Sequence, residues 1–155
     1  MRATFPPVAT SAPRSAEAAR EAWGLIWKIF LEDKPRRWAI LSELGLSMQQ
    51  AMALGHLEPG VPVPMSALAE AMHCDNSNIT GIVDRLEAAG LAERRPSERD
   101  RRVKAVVLTP KGETTKVEVE RRVGSPPPRL AMLPLADVVA LRDILARALD
   151  GAMER

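Results

Sequence analysis

The stretch from Ser66 to Leu91 admits few structures. Leu68, Ala69 and Met72 fall at helical spacing behind Ser66, a residue suited to capping a short helix. His73-Cys74 then leaves room only for a tight turn before Asp75, an N-cap residue type, opens a second helix. Ile79, Ile82, Val83 and Leu86 form one stripe at three- and four-residue steps, so one face of that helix is apolar and must be covered. Gly90 stands where a helix closes in the left-handed conformation, and Leu91 is placed to fold back over it. Two short helices joined by so tight a turn have helix-turn-helix spacing.

The segment after Leu91 fits a hairpin. Ala92 to Pro96 and Arg102 to Leu108 read as strands, with Val103, Ala105 and Val107 alternating against Arg102, Lys104 and Val106. Between them Ser97-Glu98-Arg99-Asp100-Arg101 is too polar for a core and makes a projecting loop. Upstream, Val61-Pro62-Val63-Pro64 can only be extended, and its prolines restrict any strand to a short edge. Further helices are expected over about 15–33, with Ala18, Ala22, Leu25, Ile26, Ile29 and Phe30 in phase, and over about 35–44. Another covers about 47–57, capped by Ser47, with Met48, Ala51, Met52 and Leu54 facing inward. Thr109-Pro110 starts a helix that reaches about Val123 and stops at Gly124-Ser125-Pro126-Pro127-Pro128. A last helix, about 135–153, carries Val138, Leu141, Leu145, Ala148 and Ala152. The fold class is mainly α with a small β-hairpin wing (α+β), a winged helix-turn-helix between terminal helices.

Overall charge says little about partners: 22 Lys and Arg against 20 Asp and Glu leave a net +2 over 155 residues. Local clustering says more. Arg94, Arg95, Arg99, Arg101, Arg102 and Lys104 crowd the hairpin, opposed in its loop only by Glu98 and Asp100. Cys74 is the sole cysteine, so no intrachain disulfide forms, and a reducing, cytoplasmic setting is expected. The Pro- and Ala-rich residues 1–14 read as a disordered tail without the apolar core of a signal peptide, and no apolar run is long enough for a membrane span. There is no nucleophile with a His partner, no Gly-rich phosphate loop and no paired-acid motif, so no enzyme and no cofactor is expected. His56, His73, Cys74 and Asp75 have no metal-ligand spacing, and no metal is expected.

The run Asn78-Ile79-Thr80-Gly81-Ile82-Val83-Asp84-Arg85-Leu86 and its continuation to Arg95 resemble the recognition helix and first wing strand of the MarR family. Asp100-Arg101-Arg102, followed by Val107-Leu108-Thr109-Pro110-Lys111-Gly112, resembles that family's wing signature and the return into its next helix. The match covers about Met65 to Gly112. The resemblance implies a transcription regulator that binds a pseudo-palindromic double-stranded DNA operator as an obligate homodimer. It also implies repression relieved by a small-molecule effector or by thiol oxidation. In those terms residues 15–155 form one domain, with a DNA-binding lobe over about 47–112 and dimerisation helices over about 15–33 and 135–153. The sequence departs from the family pattern at His73, where many members have Gly, and at Pro134, where the last helix often has a Ser or Thr cap. It also lacks a cysteine in the first helix, which counts against the peroxide-sensing branch.

Short polar side chains at the start of a recognition helix reach base edges and phosphates. The DNA-contacting set is therefore Ser66, Asn76, Ser77, Asn78, Thr80, Gly81 and Arg85, with Arg94, Arg99, Arg101, Arg102 and Lys104 from the wing. Asp100 would repel phosphate, so its expected role is to organise the wing. Arg102 is the expected minor-groove residue, with Arg101 its rival. Trp27, Trp38 and Met52 are the candidate effector-pocket residues, and Cys74 is expected half-buried at the helix-turn-helix corner. A winged helix used for protein–protein contact, without sequence-specific DNA binding, is the alternative; it has no need of a basic wing.

Overall fold

The structure, a computed structural model, describes residues 14–96 and 104–150. The chain divides into two compact units between Pro35 and Arg36. The first contains α1 (Arg14–Glu32). Trp23, Trp27 and Phe30 stack along this helix, with ring centroids 6.4 and 5.7 Å apart, and no residue of α1 is buried. Leu25, Ile26 and Leu31 are also exposed, so the helix carries its apolar side chains bare.

The second unit holds most of α2 (Lys34–Glu43), then α3 (Met48–Gly55), β1 (Val63–Pro64), α4 (Met65–Ala71), α5 (Asn76–Ala88), β2 (Ala92–Pro96), β3 (Lys104–Leu108), α6 (Pro110–Val123), α7 (Pro128–Ala131) and α8 (Leu135–Asp150). The three strands form an antiparallel sheet in the order β1-β3-β2, with Val63 opposite Val106 and Ala92 opposite Leu108. The core gathers Leu54 and Leu57, Leu68, the α5 stripe Ile79-Ile82-Val83-Leu86, and Leu91, Val106 and Leu108.

Local chemistry sets the boundaries. Ser47 caps α3 through a reciprocal box with Gln50, the reason a glutamine occupies a buried position there. Asp75 caps α5 and Thr109 caps α6, whose first residue is Pro110. Both helices of the helix-turn-helix end in the same way. Gly90 (φ 69°) lets Leu91 donate its N–H to Leu86 O at 2.9 Å, and His73 (φ 49°) lets Cys74 donate to Ala69 O at 3.0 Å. Histidine is among the non-glycine residues that tolerate this region, so the turn keeps its geometry.

Four expectations are corrected. Ser66 does not cap α4: the helix begins at Met65 directly out of the β1–β3 pairing, with Pro64 at its N-cap and no side-chain cap. Met52 is half exposed, because the inward phase of α3 belongs to Gln50, Ala53 and Leu54. The alternation expected in β3 is lost, since Ala105, Val106, Val107 and Leu108 are all buried. This strand lies between two others and is contacted by α4 and α6, so both of its side-chain phases are covered. Finally, Pro127-Pro128 opens the short helix α7 instead of only ending α6.

The start of α6 sits against the turn that follows α5. Thr109 donates its N–H to Leu91 O (3.1 Å) and its hydroxyl to Gly90 O (2.7 Å), while Lys111 Nζ reaches Ala89 O at 2.7 Å. Gly112 sits so close that a Cβ there would stand 1.8 Å from the Leu91 carbonyl oxygen. From the middle of α6, the buried Lys116 donates to Leu57 O (2.6 Å) and Glu58 Oε1 (2.9 Å), tying α6 to the end of α3.

Gly112→Ala is therefore expected to destabilise the protein although Ala is the better helix former. The clash is with backbone, so α6 must lift from α5, at a cost of about 3 kcal/mol and roughly 10 °C in Tm. A thermal melt matching wild type would show that the junction yields freely.

Candidate nucleic-acid interface

The exposed surface of α5 is built from its first turn. The Asp75 carboxylate accepts the backbone N–H of Asn78 at 2.8 Å and the Ser77 hydroxyl at 2.7 Å. The Ser77 hydrogen bond first, and the Asn78 N–H second, hold the Asp75 carboxyl below its ordinary value of 3.8. Thr80 donates its hydroxyl back to Asn76 O at 2.7 Å. Asn76, Ser77, Asn78, Thr80 and Arg85 are all exposed and Gly81 partly so, while the Ile79-Ile82-Val83-Leu86 stripe is buried behind them. An alanine Cβ at Gly81 would meet only Arg85 Nη2, at an ordinary 3.7 Å. Nothing described in the chain requires a glycine there.

A cleft of about 520 Å³ opens between α4, α5 and the sheet. It brings together Ser66, Asn76, Thr80, Arg94 and Lys104 from the sequence-based set, with Met65, Ile79 and Asp84 completing the wall. Ser77, Asn78, Gly81 and Arg85 are not part of this wall and lie elsewhere on α5. Arg99, Asp100, Arg101 and Arg102 lie outside the described residues.

Arg94 departs from its expected place. Its guanidinium pairs with Asp84 at 2.7 Å and with Glu87, and also donates to Thr80 O at 3.2 Å. Its backbone N–H adds a bond to Glu87 Oε1 at 2.8 Å. Arg94 thus fastens β2 to α5 and is not a free cation on the surface. The sequence signal was available: Arg94 shares its strand phase with buried Ala92, and Asp84 and Glu87 stand one helical turn apart. Lys104 is exposed at the start of β3, whereas Arg95 is paired with Glu93 and Arg85 folds Nε back to Gly81 O at 3.0 Å.

A second cleft, about 460 Å³, is lined by Trp38, Leu41, Ser42, Gly45, Leu46, Ser47 and Met48. Of the candidate effector residues only Trp38 lines it. Met52 does not, and Trp27 stands in the α1 ring stack. Cys74 is half-buried behind the helix-turn-helix corner. Among the described residues no group of three or more His, Cys, Asp or Glu is placed to hold a metal ion, and no helix is long and apolar enough to cross a membrane.

Known proteins share this sequence pattern and fold. Residues 46–104 match the model of the MarR family. An uncharacterized HTH-type transcriptional regulator, YfiV of Bacillus subtilis, is 37% identical over 90 residues, which are 58% of this chain and 56% of that protein. The chain thus spans about half the length of that curated relative. The transcriptional regulator Tm0710 from Thermotoga maritima is 28% identical with a TM-score of 0.66, covering 88% of this chain and 96% of that one. A mutant of S. aureus MepR bound to an oligodeoxyribonucleotide shares the fold at 20% identity, with a TM-score of 0.61 over 84% of this chain and 97% of that one.

The depressed Asp75 pKa fixes the sign of an acid effect. A carboxyl with a lowered folded-state pKa stabilises fully above its unfolded value, and that contribution is lost as pH falls through the folded one. Asp75→Asn keeps a capping oxygen but removes the charge. It is expected to flatten the acid limb of stability below about pH 4 and to lower neutral-pH stability by the charge-dependent part of the cap. The check is Tm against pH for both proteins, and identical acid limbs would remove Asp75 from the account.

Proposed function

We propose that the chain is a member of the MarR family, whose model residues 46–104 match, and that it is a sequence-specific, double-stranded-DNA-binding transcription regulator acting as a homodimer. The observation that carries the reading is the exposed first turn of α5, which presents short polar side chains beside the cleft of Ser66, Asn76, Thr80 and Lys104. A recognition helix enters a major groove by such a turn. Lys104 is suited to phosphate, and the side chains to base edges. Gly81 adds support, since a mid-helix glycine costs about 1 kcal/mol against Ala and only a surface outside the described chain would explain it. The wing residues Arg99, Arg101 and Arg102, ordered by Asp100, would reach the minor groove.

Homodimerisation rests on the bare helices. Neither α1 nor α8 has a buried residue, and Trp23, Trp27 and Phe30 on one, with Leu135, Ile144 and Leu149 on the other, are more than half exposed. Apolar faces of that size need a partner, and a two-fold dimer is the commonest closed solution. The cleft beside Trp38 is the proposed effector site, where a bound small molecule would relieve repression. The proposal includes no catalysis and places the protein in the cytoplasm.

Sedimentation at micromolar concentration should find a dimer, and a chain ending at Pro134 should lose dimerisation and DNA binding together; a stable full-length monomer would refute the assembly. On a pseudo-palindrome with half-site centres about 10 bp apart, affinity should fall steeply with salt. Lys104→Ala should lower the logarithmic salt slope by about one. Arg94→Ala should weaken binding with the slope nearly unchanged, because its charge is already engaged by Asp84 and Glu87. Flat salt dependence would instead favour a protein-binding winged helix.

A further inference from the structure

The hydrogen bonds of the α5 first turn restrict what its surface can say to a base pair. The Asp75 carboxylate can only accept, so Ser77, bonded to it at 2.7 Å, has given away its sole hydroxyl proton. A backbone carbonyl likewise only accepts, so Thr80 has given its proton to Asn76 O. Both hydroxyls therefore meet the outside as acceptors alone. Two side chains keep a donor and an acceptor side by side: the carboxamides of Asn76 and Asn78, exposed and without a side-chain hydrogen bond among the described residues. They lie about 100° to either side of Ser77 around the helix, so they flank the short side chains of Ser77 and Gly81.

Adenine offers the major groove an acceptor, N7, beside a donor, N6, which is the complement of a carboxamide. Guanine offers two acceptors and calls for two donors, the arrangement of Arg or Lys. No Arg or Lys occurs from Asn76 to Asp84, and the next residue, Arg85, holds its Nε against Gly81 O. The acceptor-only hydroxyls of Ser77 and Thr80 cannot donate to guanine either.

Resting on the regulator reading, we infer that α5 reads adenine and not guanine at the centre of each half-site, with Asn76 and Asn78 as the specificity-determining residues. Each carboxamide donates its N–H to adenine N7 and accepts from N6–H. Guanine in that place sets its O6 against the carboxamide oxygen and leaves both acceptors facing, without a partner.

The test begins with selection of duplexes from a random pool by the full chain, followed by the same selection with Asn76→Ala and Asn78→Ala. Both positions are exposed, and Asp75 still caps the helix in either variant, so thermal melts should match wild type. The positions whose base preference disappears in a variant are then synthesised with 7-deazaadenine, which keeps pairing and N6 but lacks the N7 acceptor. Loss of the N7 hydrogen bond of the pair should weaken wild-type binding by about 2- to 13-fold. The matching Asn→Ala variant should lose no more on 7-deazaadenine than on adenine, because the two changes delete one interaction. Guanine at the variant-sensitive positions, or equal 7-deazaadenine losses in variant and wild type, overturns the adenine readout and leaves the regulator reading standing. A pool in which wild type enriches no sequence overturns both.

Discussion

The seating of α6 on the end of α5 governs the rest of the second unit. A helix C-terminus leaves carbonyls without intrahelical partners. Here Ala89 O and Gly90 O are taken by Lys111 and Thr109, and Leu91 O by the Thr109 N–H. The contact is direct enough to exclude a methyl group at Gly112. Farther along, Lys116 binds the last carbonyl region of α3. One helix thus fixes both the scaffold helix α3 and the helix whose opposite face is exposed. A side chain on α5 is only as well placed as this backbone junction.

Charge is organised by the same economy. Asp84 and Glu87 lie on α5, where acidic side chains would oppose a polyanion, and Arg94 pairs with both, offsetting one of the two charges while holding β2 to the helix. At partial exposure such pairs contribute on the order of 1 kcal/mol or less each to stability. Their larger consequence is positional: they set the sheet, and with it Lys104, against the cleft beside Asn76 and Thr80. A surface can therefore suit nucleic acid while the chain as a whole carries only +2. What matters is which charges remain available after the fold has used the others.

Much of this was legible in the sequence, for identifiable reasons. The stripe Ile79-Ile82-Val83-Leu86, the caps Ser47, Asp75 and Thr109, and the stop at Gly90 are local, and each formed where the pattern puts it. The edge strand at Val63-Pro64 followed from proline lacking an N–H. What was not legible depends on partners distant in the chain. The burial of both phases of β3 needs the strands and helices around it. Met52 needed the packing of α3 to show that Gln50, and not Met52, faces inward. Arg94 looked like wing charge because the hairpin is basic, and only the folded register brings it to Asp84. Of the candidate site, the α5 residues are exposed as their phase requires, whereas the loop residues 97–103 lie outside the described structure.

The remaining constraint is apolar surface. Stacked rings at Trp23, Trp27 and Phe30 gain little from water, and an exposed helix of this kind is only marginally stable on its own. The same holds for α8, whose Leu135, Ile144 and Leu149 stay exposed. If a second copy covers these faces, as the homodimer proposal requires, the free energy that orders α1 and α8 is also the free energy of association. Obligate dimers of this sort have a stability inseparable from protomer concentration. One α5 offers a few short side chains and cannot hold a site against competing genomic DNA, whereas two at fixed spacing bind as one unit. On the homodimer proposal, the bare helices and the short, glycine-containing face of α5 answer one physical requirement: each copy would be too weak a reader to act without the other.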